Sequence, residues 1–124
     1  MHAIILAMVM MTGTPYEDAI DKAERTEQPL LVVVGAEWCA PCRALQSTVI
    51  PEAQRKGYLD KVIYAHLDVD KDSVFAKHVQ AGAVTRSVPV IALYRKVDDE
   101  WQAVYHIGYV TAEQLRDFIR VRME

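Results

Sequence analysis

From Tyr16 onward the apolar positions Tyr16, Ala19, Ile20 and Ala23 recur at helical intervals, while Glu17, Asp18, Asp21, Lys22, Glu24 and Arg25 take the opposite side. That is the pattern of an amphipathic surface helix. Thr14 and Pro15 suit its N-cap and first turn, Glu17 completes a capping box with Thr14, and Gln28-Pro29 closes it. Leu30 to Val34 then forms an uncharged, β-branched run, which predicts a strand buried on both faces at the centre of a sheet. Gly35 ends the run, and Arg43 to Ser47 continue a helix whose N-terminus carries Cys39. The β-branched pair Val49-Ile50 before Pro51 predicts that this helix stops or bends, with a short second helix from Pro51.

Lys61 to Asp68 alternates as a strand does, and Val74, Phe75, His78 and Val79 give the apolar side of another helix, closed by Gly82. Val88 to Tyr94 reads as a strand with its proline near the start, where a strand tolerates one. Asp98-Asp99-Glu100 turns the chain, Trp101 to Ile107 returns as a hairpin partner, and Gly108 interrupts it. Thr111 and Gln114 make a second capping box, opening a final helix that buries Leu115, Phe118 and Ile119 and ends in Arg120 and Arg122. The order predicts an α/β sandwich: a central mixed sheet, with a parallel pair and a C-terminal hairpin, and helices on both faces.

Composition narrows this further. At 124 residues and 52% hydrophobic, the chain has room for one domain with its own core, taken here as residues 15–124. A net charge of -3 with no basic block gives no footprint for nucleic acid. The apolar run Ala3 to Met11, in the segment 1–14, has two readings: a first strand, or the remnant of a secretory signal or anchor, although no Lys or Arg precedes it. It is too short to span a membrane.

The chemistry is concentrated in Trp38-Cys39-Ala40-Pro41-Cys42, which holds both cysteines of the chain. Two cysteines are too few for a disulfide scaffold, and a core this apolar needs no staple, so a reactive role fits better. A zinc site would need more ligands, but there is no second CxxC, and His66, His78 and His106 lack ligand-pair spacing. Haem attachment would need a histidine where Arg43 stands. No metal or cofactor is expected beyond a redox-active Cys39–Cys42 disulfide.

The segment Ala36 to Arg43 resembles the active site of thioredoxins, and the likeness extends over roughly Tyr16 to Ile119. Three features carry it: the strand, CxxC and helix in sequence; Val88-Pro89 at a strand start, matching the family's cis-proline; and Gly108 before the last helix. Within the family the thioredoxin-like domains of extracytoplasmic thiol-disulfide reductases are most similar, which favours an extracytoplasmic location over a cytoplasmic one. Ordinary thioredoxins differ in having a buried acid where this chain carries Val33 and a lysine where it has His66.

The resemblance implies a protein disulfide oxidoreductase favouring the reducing direction, acting as a monomer on protein dithiol or disulfide substrates and fed by an upstream reductant. Cys39, at a helix N-terminus where amide groups and the helix dipole favour a thiolate, is the attacking thiol; Cys42, one turn on, resolves. Trp38, Val88 and Pro89 form the substrate surface, Pro41 keeps the turn stiff with Ala40 as a supporting residue beside it, and Glu37 and His66 are the candidates to accept the proton of Cys42. Because the Ala-Pro insert places no imidazole beside the nucleophile, the expected potential lies near about -270 mV rather than the roughly -120 mV of strong oxidants. The competing reading is a redox-inactive module that keeps the fold for protein binding, against which the intact cysteine pair argues. A membrane-tethered relay is a third, and depends on Ala3 to Met11.

Overall fold

The computed structural model describes residues 13–123. The two readings of Ala3 to Met11 lie outside the described residues. Within them the elements are α1 (Pro15–Thr26), β1 (Leu30–Gly35), α2 (Ala40–Ala44), a π-helical turn (Leu45–Val49), α3 (Ile50–Arg55), β2 (Ile63–Asp68), α4 (Ser73–Gly82), β3 (Val90–Val97), β4 (Glu100–Ile107) and α5 (Ala112–Met123).

The strands make one mixed sheet in the order β2-β1-β3-β4. β1 runs parallel to β2, with Val33 opposite His66 and Gly35 opposite Asp68, and antiparallel to β3, with Val33 opposite Ile91. Every residue of β1 is buried, as its uncharged β-branched run dictates for a strand covered on both sides. Its alternating side chains feed two cores. Leu31 and Val33 join Leu45, Val49, Ile91, Leu93, Leu115 and Ile119 under α2, α3 and α5, whereas Leu30, Val32 and Val34 pack with Tyr16, Ala23, Leu67, Ala76 and Val79 under α1 and α4. Truncating a fully buried member such as Leu93 to Ala costs about 2–5 kcal/mol, the transfer loss plus the cavity left behind.

Local chemistry sets the ends of these elements. Thr14 accepts the amide of Glu17 at 3.1 Å to cap α1, and Thr111 accepts that of Gln114 at 3.1 Å while the Gln114 side chain accepts the Thr111 amide at 2.9 Å. Asp98 and Asp99 both have positive φ, 52° and 65°, which gives the two-residue hairpin turn a twist matching its strands.

The structure differs from the expected elements in five places. The expected short second helix is present as Ile50–Arg55, but the helix after the cysteines does not stop before it: a π-helical turn, in which the Ile50 amide donates to Leu45, joins the two. Pro51 has no amide to donate, and the wider turn before it absorbs the register change. Gly82 is helical and does not cap α4; the left-handed residue after the helix is Val84, with φ 54°. Gly82 is small because the Tyr105 side chain occupies the place of its missing Cβ. β2 begins at Ile63 rather than Lys61, and β3 begins at Val90, after the proline. Phe118, expected to be buried, only packs partly against the core.

Candidate active site

The CxxC follows the C-terminal end of the central strand β1, after the short link Ala36 to Trp38. Cys39 is the N-cap of α2 and Cys42 lies in its first turn, joined to Cys39 by a disulfide with Cα atoms 5.2 Å apart. The Cys42 amide points at Cys39 Sγ at 3.3 Å, and the Arg43 amide donates to the Cys39 carbonyl at 3.0 Å. One helix-terminal amide that would otherwise lack a partner, that of Cys42, is therefore aimed at the Cys39 sulfur, which favours an anion there once the disulfide opens. Cys39 is 8% exposed and Cys42 3%, so the first cysteine is the less buried of the two. Ala40 and Pro41 form the exposed outer side of the turn between them.

Around the pair lie residues brought in from other elements. Val69 and Val88 pack on the cluster of Ala36, Cys39 and Cys42. The Val88-Pro89 peptide bond is cis, as the sequence led one to expect. The Pro89 carbonyl accepts the amide of Gly108 at 2.9 Å, and Gly108 has φ 108°, a conformation that L side chains rarely adopt. Trp38 is 66% exposed beside Cys39.

Asp70, which sequence reasoning did not single out, holds Trp38: the indole Nε1 donates to its carboxylate at 2.9 Å. The turn between β2 and α4 sets this up. Buried Asp68 accepts the amides of Asp70 and Lys71 at 2.8 and 3.1 Å, while its own amide donates to Asp72 at 2.9 Å. The available signal was the cluster of aspartates after β2, the composition of a side-chain-bonded turn.

Of the two proton acceptors considered, Glu37 is exposed and its carboxylate binds Lys71 Nζ at 2.6 Å. Arg43 fixes the Glu37 backbone by donating to its carbonyl at 2.7 Å. His66 lies on the other side. A Cβ at Gly35 would sit 3.4 Å from Cys42 Sγ and 3.6 Å from His66 Nε2, so the thiol and the imidazole border the same small space. Although His66 as a whole is exposed, loss of water around its ring lowers its pKa, while the negative charges of Asp68 and Asp72 pull it partly back. Val33, the register partner of His66, is 1% exposed and brings no ionisable group to this space. Among the described residues no three His, Cys, Asp or Glu side chains converge as a metal site requires.

Among the described residues, two grooves bear on the site. One, between α1 and α4, is lined by Tyr16, Phe75, Tyr94 and Trp101 and shares no residue with the CxxC segment. The other contains Trp38, Val69 and Val88 and adjoins the disulfide. It is the second that fits the chemistry of the cysteines.

A family model described as thioredoxin-like matches residues 10–96. A thiol:disulfide interchange protein, TxlA, of Synechococcus elongatus is 31% identical over 70 residues, covering 56% of this chain and 34% of that protein. A thioredoxin of Alicyclobacillus acidocaldarius is 30% identical over 109 residues, covering 88% of this chain and 91% of that one. The chain therefore spans about a third of the first relative and nearly all of the second. The solution structure of a thioredoxin from Thermus thermophilus matches with a TM-score of 0.71 over 88% of this chain and 84% of the other, at 16% identity, a likeness of fold alone.

Proposed function

The chain belongs to the thioredoxin-like family, and from that premise we propose that it reduces protein disulfides, with Cys39 attacking and Cys42 resolving. The observation that carries this reading is the Cys39–Cys42 disulfide at the start of a helix, with the Cys42 amide aimed at the Cys39 sulfur. In the reduced protein the Cys39 thiolate attacks one sulfur of a partner disulfide. The Cys39–partner bond forms, and the partner's other sulfur leaves as a thiolate and takes up a proton from water. Cys42 then gives up its proton, its sulfur attacks Cys39, and the second partner sulfur is expelled. Two electrons pass to the partner, and a dithiol reductant upstream returns the pair to its reduced state.

Trp38, Val88 and Pro89 form the surface against which the partner lies, and the protein works as a monomer. His66 accepts the proton of Cys42, in place of an acid at Val33; this is supported by its Nε2 bordering the same space as the thiol and by loss of water around the ring, which lowers its pKa and favours the neutral form. Glu37, engaged by Lys71, supports the turn.

Insulin reduction by dithiothreitol tests the activity. Precipitation faster than in buffer is expected, lost in Cys39→Ser, and a trapped mixed disulfide is expected in Cys42→Ser; a rate equal to buffer favours the binding module instead. Equilibration in glutathione buffers should place the potential near about -270 mV, and behaviour near -120 mV would sink the reducing direction. In stopped-flow measurements His66→Ala should slow closure of the mixed disulfide while sparing the first attack. Equal closure rates would remove His66 from the proton path.

A further inference from the structure

The groove beside Trp38 encloses about 640 Å³ and leads from the disulfide toward α4 and the loop that follows it. Its two ends differ in chemistry. The near end is apolar, floored by Val69 and Val88 where they pack on Ala36, Cys39 and Cys42, and walled by the exposed Trp38 ring. The far end carries two exposed cations, Lys77 from α4 and Arg86 from the loop. Among the described residues neither forms an ion pair, whereas Lys56, Lys71 and Lys96 all do. The carboxylate in the lining, Asp70, is bound by the indole of Trp38. The groove thus carries two positive charges against one negative, in a protein whose net charge is -3.

The backbone that carries these cations is tied together. Gln80, buried on α4, donates from Nε2 to the backbone carbonyls of Arg86 and Ser87 at 3.2 and 3.1 Å, and its backbone carbonyl accepts the Thr85 amide at 3.0 Å. The Ser87 amide in turn donates to the Thr85 hydroxyl at 3.0 Å. The loop bearing Arg86 is therefore tied to the helix bearing Lys77. Gln80 is one of two buried polar side chains among the described residues, and its amide is spent on this tie.

Resting on the redox reading above, we infer that the groove selects protein disulfides with an acidic residue near the attacked cysteine. An apolar neighbour of that cysteine lies on Val69 and Val88, and the carboxylate of the acidic residue sits between Lys77 and Arg86. Two exposed charge pairs of this kind should change kcat/KM by about two- to tenfold at low salt, and less as salt screens them.

The test uses disulfide-bonded synthetic peptides, identical except for a Glu, Gln or Lys a few residues from the attacked cysteine. Bis(2-hydroxyethyl) disulfide serves as a neutral reference for the wild-type protein. The expected order of kcat/KM is Glu above Gln above Lys, narrowing with added salt. In the doubly substituted Lys77→Glu, Arg86→Glu protein the ratio of Glu to Lys peptide rates should invert, and in Lys77→Gln, Arg86→Gln it should approach one. Equal rates for the three peptides, with the neutral disulfide still reduced, overturn this inference alone. A Glu preference that persists in both variants overturns it too, because the selectivity then resides elsewhere. Reduction of neither the peptides nor the neutral disulfide overturns the redox reading beneath it.

Discussion

Replacing Gly82 by Ala sets two effects of opposite sign against each other. Gly82 is the last residue of α4, and helix propensity alone favours Ala over Gly by about 1 kcal/mol in a helix interior, less at an end. Against that stands Tyr105 on β4. A Cβ at Gly82 would overlap the Tyr105 hydroxyl, with Cζ only 2.9 Å and Cε1 3.5 Å away. The phenol ring cannot fold aside as a lysine would: Tyr105 packs partly buried against the core and meets Tyr94 edge-to-face with ring centroids 6.4 Å apart. Forcing a methyl into such a site typically costs about 1–3 kcal/mol. The steric cost wins, and a net loss of about 1–2 kcal/mol is expected after the propensity gain. Urea denaturation of Gly82→Ala, Tyr105→Phe and the double variant reads this directly. Removing the hydroxyl relieves the worst overlap but leaves Cζ too close, so the double variant should recover only part of the loss, with a coupling energy of about 0.5–1.5 kcal/mol. A Gly82→Ala protein as stable as the parent, or more so, would refute the close approach and restore the simple reading of Gly82 as a helix end.

Two further outcomes follow from the backbone and from His66. Val84 is 90% exposed and held at φ 54°, which disfavours a β-branched residue by about 1–2 kcal/mol, so Val84→Gly should raise the unfolding free energy by about 0.5–1 kcal/mol after the entropy of the added glycine, seen as a higher urea midpoint; an unchanged or lower midpoint would refute this. Because burial lowers the folded-state pKa of His66, the unfolded chain binds its proton more readily, and the stability associated with the neutral ring is present above the ordinary His pKa of about 6.5 and lost as pH falls toward the lower folded value. Asp68, Asp72 and Cys42 face the ring in both proteins being compared, so His66→Gln should lose less thermal stability than the parent between pH 7.5 and 5.5, and identical pH profiles would contradict the shift.

What could be read from the chain followed from how local each determinant is. The strand β1 was legible because five successive apolar residues leave no polar side for water, and α1 and α5 because Thr14 and Thr111 satisfy their own helix starts within a turn. The CxxC and Pro89 were legible as motifs. The clasp of Asp70 on Trp38, the tie from Gln80 to Arg86 and the fit of Gly82 around Tyr105 were not, since each joins residues whose proximity depends on the folded packing of several elements. The π-helical turn lay between the two cases: Pro51 announced a disturbance, but whether the helix would break or widen depended on Leu45, Val49 and Ile50 being held in the core.

Gly35 gives this protein an unusual kind of control point. Thiol and imidazole share a space that exists only because one residue lacks a side chain, and a single methyl there would press on Cys42, 3.1 Å from its Cβ and 3.4 Å from its Sγ, without adding or removing any ionisable group. Such a change acts as an insulator. It should leave Cys39 able to capture a partner while slowing the closing step, seen as a longer-lived mixed disulfide in Gly35→Ala; an unchanged lifetime would count against it. A carrier that hands electrons on quickly and a snare that holds its partner would then differ by the volume of one carbon atom.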